Sequence, residues 1–231
     1  MGYRYEMHVH TKEISLCAGC PAAEQVKIYH RLGYAGICIT NHFINGVTHV
    51  PKNIPWADRV EGYWHGYELA VEAAAGTGMD VFFGWEYSIG GGTDFLVYGL
   101  GKDWLLANED ALNLSPKAYL QKVREDGAIV IHAHPFREAG YIEMIRLLPR
   151  DVDGVEFYNA NRTEFENAMA RQFAGNYGLW GSAGSDNHAG HQSCLAGIEA
   201  PRRYDNVMDL LRDTSSHPEW LFCEPFPAMD D

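Results

Sequence analysis

The sequence predicts an α/β fold, a barrel of strands wrapped by helices. Short apolar segments alternate with longer amphipathic ones along the chain. Some short segments are apolar on both faces, as parallel strands covered by helices require. His, Asp and Glu recur just after the short segments, on the rim where barrels of this kind place their chemistry. The expected strands cover 3–9, 35–40, 80–85, 95–100, 128–131, 154–158 and 179–183, bounded by Gly or polar residues and mostly rich in β-branched or aromatic side chains. The expected helices begin with 22–32, which follows Pro21. Next comes 57–75, with Val60, Tyr63, Trp64, Tyr67 and Val71 at helical spacing. Segment 116–125 opens with Ser115-Pro116, an N-cap followed by proline at the first helical position. Segment 138–148 stops before Pro149, 164–176 ends near Gly178, and 205–212 closes the series. The connection 87–94 is short and glycine-rich, so the third and fourth strands are not expected to form a βαβ unit. No linker, repeat or low-complexity tract divides the chain, and 1–231 is read as a single domain.

Composition narrows the function classes. Hydrophobic residues make up 46% and charged residues 21%, ordinary globular usage. Eighteen Lys and Arg against 31 Asp and Glu give a net charge of −13. That disfavours extended nucleic acid and anionic membranes as partners, since both need basic faces. No apolar run approaches the roughly 18 residues of a membrane span, and the first residues lack the apolar stretch of a signal peptide. The five cysteines, Cys17, Cys20, Cys38, Cys194 and Cys223, are odd in number and scattered. A reducing, cytoplasmic location without a disulfide framework is expected.

Eleven histidines carry the functional argument. The first strand ends in His8-Val9-His10, the second in Thr40-Asn41-His42 and the third in Gly84-Trp85-Glu86. The fifth ends in His132-Ala133-His134, the sixth in Glu156 and Asn159, and the seventh runs into Ser185-Asp186-Asn187-His188. Strand alternation puts His8 and His10 on one face, as chelation requires. Mixed imidazole and carboxylate donors suit zinc, manganese or iron. Burying so many ionisable groups together without a cation would be costly through desolvation and like-charge repulsion.

In this order, His8-x-His10, Thr40-Asn41-His42, Gly84-x-Glu86, His134-Pro135 and Ser185-Asp186-x-His188 resemble the motifs of the PHP (polymerase and histidinol phosphatase) family. The likeness spans residues 5 to about 200, and the stretch from His10 to Cys17 looks like the small stand-alone members. The resemblance implies a distorted (β/α)7 barrel with two or three divalent ions (Zn, Mn or Fe) at the C-terminal rim of the strands. It implies His8, His10, Glu86 and Asp186 as ligands of one ion, with Glu86 bridging to a second held also by His134. It implies His42 and His188 for a third, with Glu13 as an acidic ligand there. Asp94 stands where many members have a histidine, and is expected to ligate through its carboxylate. Asn41 replaces the common aspartate of Thr-Asp-His, which weakens the expected third site, because an amide cannot polarise an imidazole as a carboxylate does. His132 is expected to be structural or to support the ligands. Cys17 and Cys20 form a single C-x-x-C and are read as loop thiols.

The expected activity is hydrolysis of a phosphate monoester of a small metabolite or nucleotide, histidinol-phosphatase-like. Glu86, Asp186 and His188 are its catalytic candidates, with Arg137 and Arg162 as phosphate binders. Alternatives are a phosphodiesterase or nuclease, a metal-assisted amide or lactone hydrolase, and a non-catalytic metal-binding barrel. The long loop 41–56 is expected to contact substrate, and Trp56, Trp64 and Trp104 are considered as pocket walls or core.

Overall fold

The computed structural model describes residues 2–227. The chain runs β1 (Tyr3–Val9), α1 (Ala22–Arg31), β2 (Gly36–Ile39), α2 (Trp56–Ala74), β3 (Asp80–Ser88) and β4 (Asp94–Tyr98). It continues through α3 (Lys102–Ala107), α4 (Pro116–Glu125), β5 (Ile129–Ala133), β6 (Gly154–Asn159), α5 (Glu164–Tyr177) and β7 (Trp180–Gly184). It then forms β8 (Cys194–Ala200), α6 (Val207–Thr214) and β9 (Leu221–Pro225).

All strands join one sheet in the order β7-β6-β5-β4-β3-β2-β1-β8-β9. β1, β2 and β3 are mutually parallel, as are β5, β6 and β7. β4 runs against both its neighbours. The sheet curls until the ends meet: Val9 bridges Asn187 just past β7, with His10 N donating to Asn187 O at 3.0 Å and Asn187 N to His8 O at 3.1 Å. The result is a nearly closed, distorted barrel. Reversal of β4 follows from the glycine turn that joins it to β3, where Gly90, Gly91 and Gly92 all have positive φ. That reversal brings the start of β4, Asp94, to the rim where the parallel strands end.

Expected and observed elements agree at most positions, including 116–125, where Ser115 caps the helix by accepting from Ala118 N. One expected helix is absent. Residues 138–148 form an irregular segment, with an isolated turn at Ile142 N→Ala139 O. Gly140 interrupts the pattern, Glu138 N is drawn away to Glu166 Oε1, and most of the segment's apolar side chains find no helix-packing surface. Its contacts go to the β3–β4 turn, where Arg146 Nη1 donates to Gly90 O and Ile142 lies over Gly92. Helix α3 and strands β8 and β9 lie outside the sequence expectations. β8 and β9 extend the sheet beyond β1 and cover its edge.

Of the three tryptophans, Trp56 lies in the core, Trp104 packs against it half-buried, Trp64 is half-buried on α2, and none lines the cavity described below. Trp56 packs with Phe43, Tyr63 and Trp85 and donates to Leu105 O, Trp104 stacks on Trp85, and Trp64 rests on Phe83. Tyr63 of α2 donates to Asn41 O at 2.8 Å, tying this core to the rim.

Candidate metal centre

The barrel interior presents Glu6 and His8 from β1 and His10 from just past its end, at alternating positions and all fully buried. Three groups of donors have their ligand atoms within 4.8 Å of one another: His8, His10 and Asp186; Glu86, Asp94 and His134; and His10, His42 and His188. Every predicted ligand except Glu13 is therefore gathered at one end of the barrel. Glu13 turns away, its carboxylate accepting from Ala22 N at 3.0 Å at the start of α1. There it satisfies an otherwise unpaired N–H of the helix terminus.

Hydrogen bonds decide which nitrogen each imidazole offers. His8 Nδ1 lies 3.0 Å from Glu156 Oε1. A carboxylate only accepts, so Nδ1 carries the proton and Nε2 is left with its lone pair. His10 Nδ1 lies 3.0 Å from Ser15 Oγ, and the Ser15 hydroxyl proton goes on to Asn41 Oδ1 at 2.9 Å. Ser15 Oγ must then accept from His10, again leaving Nε2 bare. The two Nε2 atoms face each other at 3.1 Å, between Glu86 and Asp186 at 3.4–3.6 Å. Two lone pairs aimed at one spot and ringed by carboxylates repel unless a cation or a proton sits between them. The donor set fits a divalent ion.

Asn41 thus plays a different part from the one expected of it. Its carbonyl oxygen also accepts from Thr11 N at 2.7 Å, and through Ser15 it orients the ring of His10. His42 is held instead by Glu86, whose Oε2 lies 2.7 Å from His42 Nδ1.

Burial and the neighbouring charges pull these ionisable groups in opposite directions. Burial works against charge on His8, but Asp186 and Glu156 hold it protonated well above the usual range. Burial and the charges of His188 and His42 push His10 well down. His42, despite burial, is pushed up to about 10, chiefly by the charge of Glu86. His134 and His188 also move up. Glu86 and Asp186 stay ionised despite burial, with His42 and His8 respectively the main counter-charges. Asp94 is pushed up by burial and the nearby charge of Glu86.

Among non-glycine residues of the described chain, only His134 (φ 27°) and Asp186 (φ 53°) have positive φ. Such backbone is costly and persists only where its surroundings enforce it. Glu156 Oε2 fixes His134 N at 3.0 Å, and Asn161 Nδ2 fixes Asp186 O at 2.6 Å. Sequence alone puts Glu156 at a strand end and carries no sign of this duty.

His132 points away, stacked on Phe95 at 4.7 Å with neither ring nitrogen partnered. Burial pushes it down to about 3, so it is neutral. Above the cluster opens a cavity of about 710 Å³, walled in part by Arg137, Arg162, Tyr141 and Asn161. Asn45, Gly46 and Val47 also line it, which places part of the 41–56 loop against this space. Arg137 Nη1 lies 3.7 Å from Asp94 and Arg162 Nη1 3.8 Å from Glu166, and each arginine keeps a buried, unpartnered Nε. Cys17, read from sequence as a loop thiol, lies at the same cavity with its Sγ 3.1 Å from His42 Nε2. Burial opposes its ionisation, but hydrogen bonds from His188 and His42 bring the thiol down to about 6.

No protein-family model matches the sequence, and no curated protein matches it. Solved structures share its fold. A two-domain protein from Bacteroides vulgatus, described as containing a predicted PHP-like metal-dependent phosphoesterase, superposes with a TM-score of 0.69 at 16% identity. That match covers 96% of this chain, which spans 64% of the larger protein's length. A putative metal-dependent phosphoesterase from Bifidobacterium adolescentis matches with a TM-score of 0.56 at 14% identity, over 91% of this chain and 94% of its own. Endonuclease Q, solved with a 27-mer duplex bearing an abasic lesion at its active site, matches with a TM-score of 0.61 at 9% identity, over 94% of this chain and 57% of its own. The class of fold is thus the distorted barrel shared by PHP-like proteins, as the motif order implied.

Proposed function

We propose that this protein is a metal-dependent phosphoesterase that hydrolyses a monoester of a small phosphorylated molecule. One observation carries the reading: two carboxylates, Glu86 and Asp186, sit among imidazole lone pairs directly beneath a cavity that also exposes two arginines. His8, His10, Glu86 and Asp186 would hold one ion, Glu86, His134 and Asp94 a second, and His42 and His188 a third. When bound, such ions supply Lewis-acid chemistry, acidifying water and neutralising charge on phosphoryl oxygens. Arg137 and Arg162 bind and orient the phosphoryl group by charge-assisted hydrogen bonds. Glu156 holds the ring of His8, and Ser15 with Asn41 that of His10, so that Nε2 of each faces the centre. The cavity volume falls within the range typical of small-molecule sites.

Endonuclease Q supports a second reading, a phosphodiesterase acting on nucleic acid. The net charge of −13 weighs against it, because a nucleic-acid track needs a basic surface. The test is turnover of a nitrophenyl phosphate monoester against a bis-nitrophenyl diester, after reconstitution with zinc, manganese or iron, beside a His134→Ala control. Monoester turnover that disappears in the control supports the proposal. Preference for the diester replaces it with the second reading, and silence on both with metal bound overturns both.

A further inference from the structure

The loop after His10 offers three donors to the rim: Glu13, Ser15 and Cys17. The structure commits two of them elsewhere. Glu13 caps α1, and Ser15 serves His10 and Asn41. Cys17 remains, and it is exposed to the cavity rather than packed in a core.

Its neighbours turn the right nitrogens toward it. His42 Nδ1 faces Glu86 Oε2 at 2.7 Å, so Nε2 is the nitrogen turned to Cys17 Sγ, at 3.1 Å. His188 Nδ1 lies 2.9 Å from Asp186 O, a carbonyl that only accepts, which makes Nε2 the nitrogen that can ligate once it sheds its proton. The backbone holds the thiol in place on both sides. Leu16 N donates to Val47 O at 3.1 Å in the loop that follows His42, while Gly19 N and Cys20 N both donate to His188 O, at 2.8 and 3.1 Å. The loop bearing Cys17 is thus stitched to the two segments that carry His42 and His188.

We propose that Cys17 is a thiolate ligand of the third ion, completing with His42 and His188 a Cys-His-His donor set in the place where an acidic ligand from Glu13 was expected. This rests on the metal-dependent reading above. Sulfur is the softest donor in the cluster, so this position selects zinc, cobalt or ferrous iron over magnesium and manganese, while the neighbouring oxygen-rich positions do not. Three protein donors leave one position of a four-coordinate ion for an outside ligand, in keeping with the opening to the cavity.

Cobalt(II) is the probe, read by absorbance and by metal analysis of the gel-filtered protein with no substrate present. The wild-type chain is expected to show a near-ultraviolet thiolate-to-cobalt charge-transfer band. Cys17→Ser is expected to lose the band and to bind its last cobalt at least about tenfold more weakly, since removing a ligand exceeds the loss from disturbing a supporting residue. Cys17→Asp should keep the ion without the band, and Cys20→Ser should keep both. A wild-type chain that shows no band when saturated, or a Cys17→Ser chain that keeps it, overturns the proposal. Because the spectrum needs no turnover, an intact band in a protein inert to phosphate esters would sink the phosphoesterase reading and leave the thiolate site standing.

Discussion

Glu156 never touches the centre of the ligand cluster, yet replacing it with glutamine should cripple that cluster. Its carboxylate accepts from His8 Nδ1 at 3.0 Å through Oε1, and from His134 N at 3.0 Å and Asn159 Nδ2 at 2.8 Å through Oε2. Glutamine has the same shape but only one accepting oxygen. If that oxygen faces His8, the new NH₂ confronts two donors that cannot accept from it. The less costly arrangement turns the NH₂ toward His8, which must then accept at Nδ1 and carry its proton on Nε2. A protonated Nε2 has no lone pair for a metal. Loss of such an orienting partner typically costs about 10–100-fold in metal affinity, or roughly 1.4–2.8 kcal/mol, and the tautomer switch places Glu156→Gln toward the upper end. The assay is zinc affinity by competition with a chromophoric chelator, paired with nitrogen-15 NMR of the histidine tautomers. Wild-type affinity in the variant, or a His8 still protonated at Nδ1, would refute the reasoning.

Other expectations follow from the same geometry. His132, neutral and pushed down to about 3, should cost stability as the pH falls below 6.5, because the unfolded chain takes up a proton there first; the slope is about 1.4 kcal/mol per pH unit. Urea unfolding of His132→Leu at several pH values should show a shallower acid limb than the wild type, and an unchanged limb would contradict this. The raised His8, His42, His134 and His188 keep protons that a cation must displace, so metal uptake should release protons and tighten as the pH rises. Calorimetry in two buffers of different ionisation enthalpy measures that release, and identical heats would count against it. Arg137→Ala should raise the KM for a phosphate monoester by about tenfold to a hundredfold, the worth of one charge-assisted contact, while metal content stays at the wild-type level by elemental analysis.

Much of this architecture was legible because strands and ligands share one grammar. Most of the parallel strands are short apolar runs with a candidate ligand at or just past their ends. The reversed β4 also left a trace, since a connection of glycines cannot hold a crossover helix. What escaped prediction depends on long-range direction. Residues 138–148 carry apolar residues before a proline, but Glu138 N is claimed by Glu166 and the Arg146 side chain by the β3–β4 turn. In the loop after His10, sequence spacing could not distinguish Glu13 from Cys17, because the choice depends on which one the start of α1 captures. The support that Asn41 gives His10 passes through Ser15, and no pattern of residue types announces a three-body relay.

The barrel closes at the Val9–Asn187 bridge, and this seam has few hydrogen bonds of its own. His8 and His10 lie on one lip, Asp186 and His188 on the other. An ion shared by His8, His10 and Asp186, as proposed above, would act as a rivet across the place where the ring would spring open. Such a rivet could not be set until β7 had emerged and docked, so metal capture would mark the completion of folding rather than guide its early steps. In the stripped protein, hydrogen exchange should quicken first at the amides of His10 and Asn187, along the line where the two ends of the sheet were fastened.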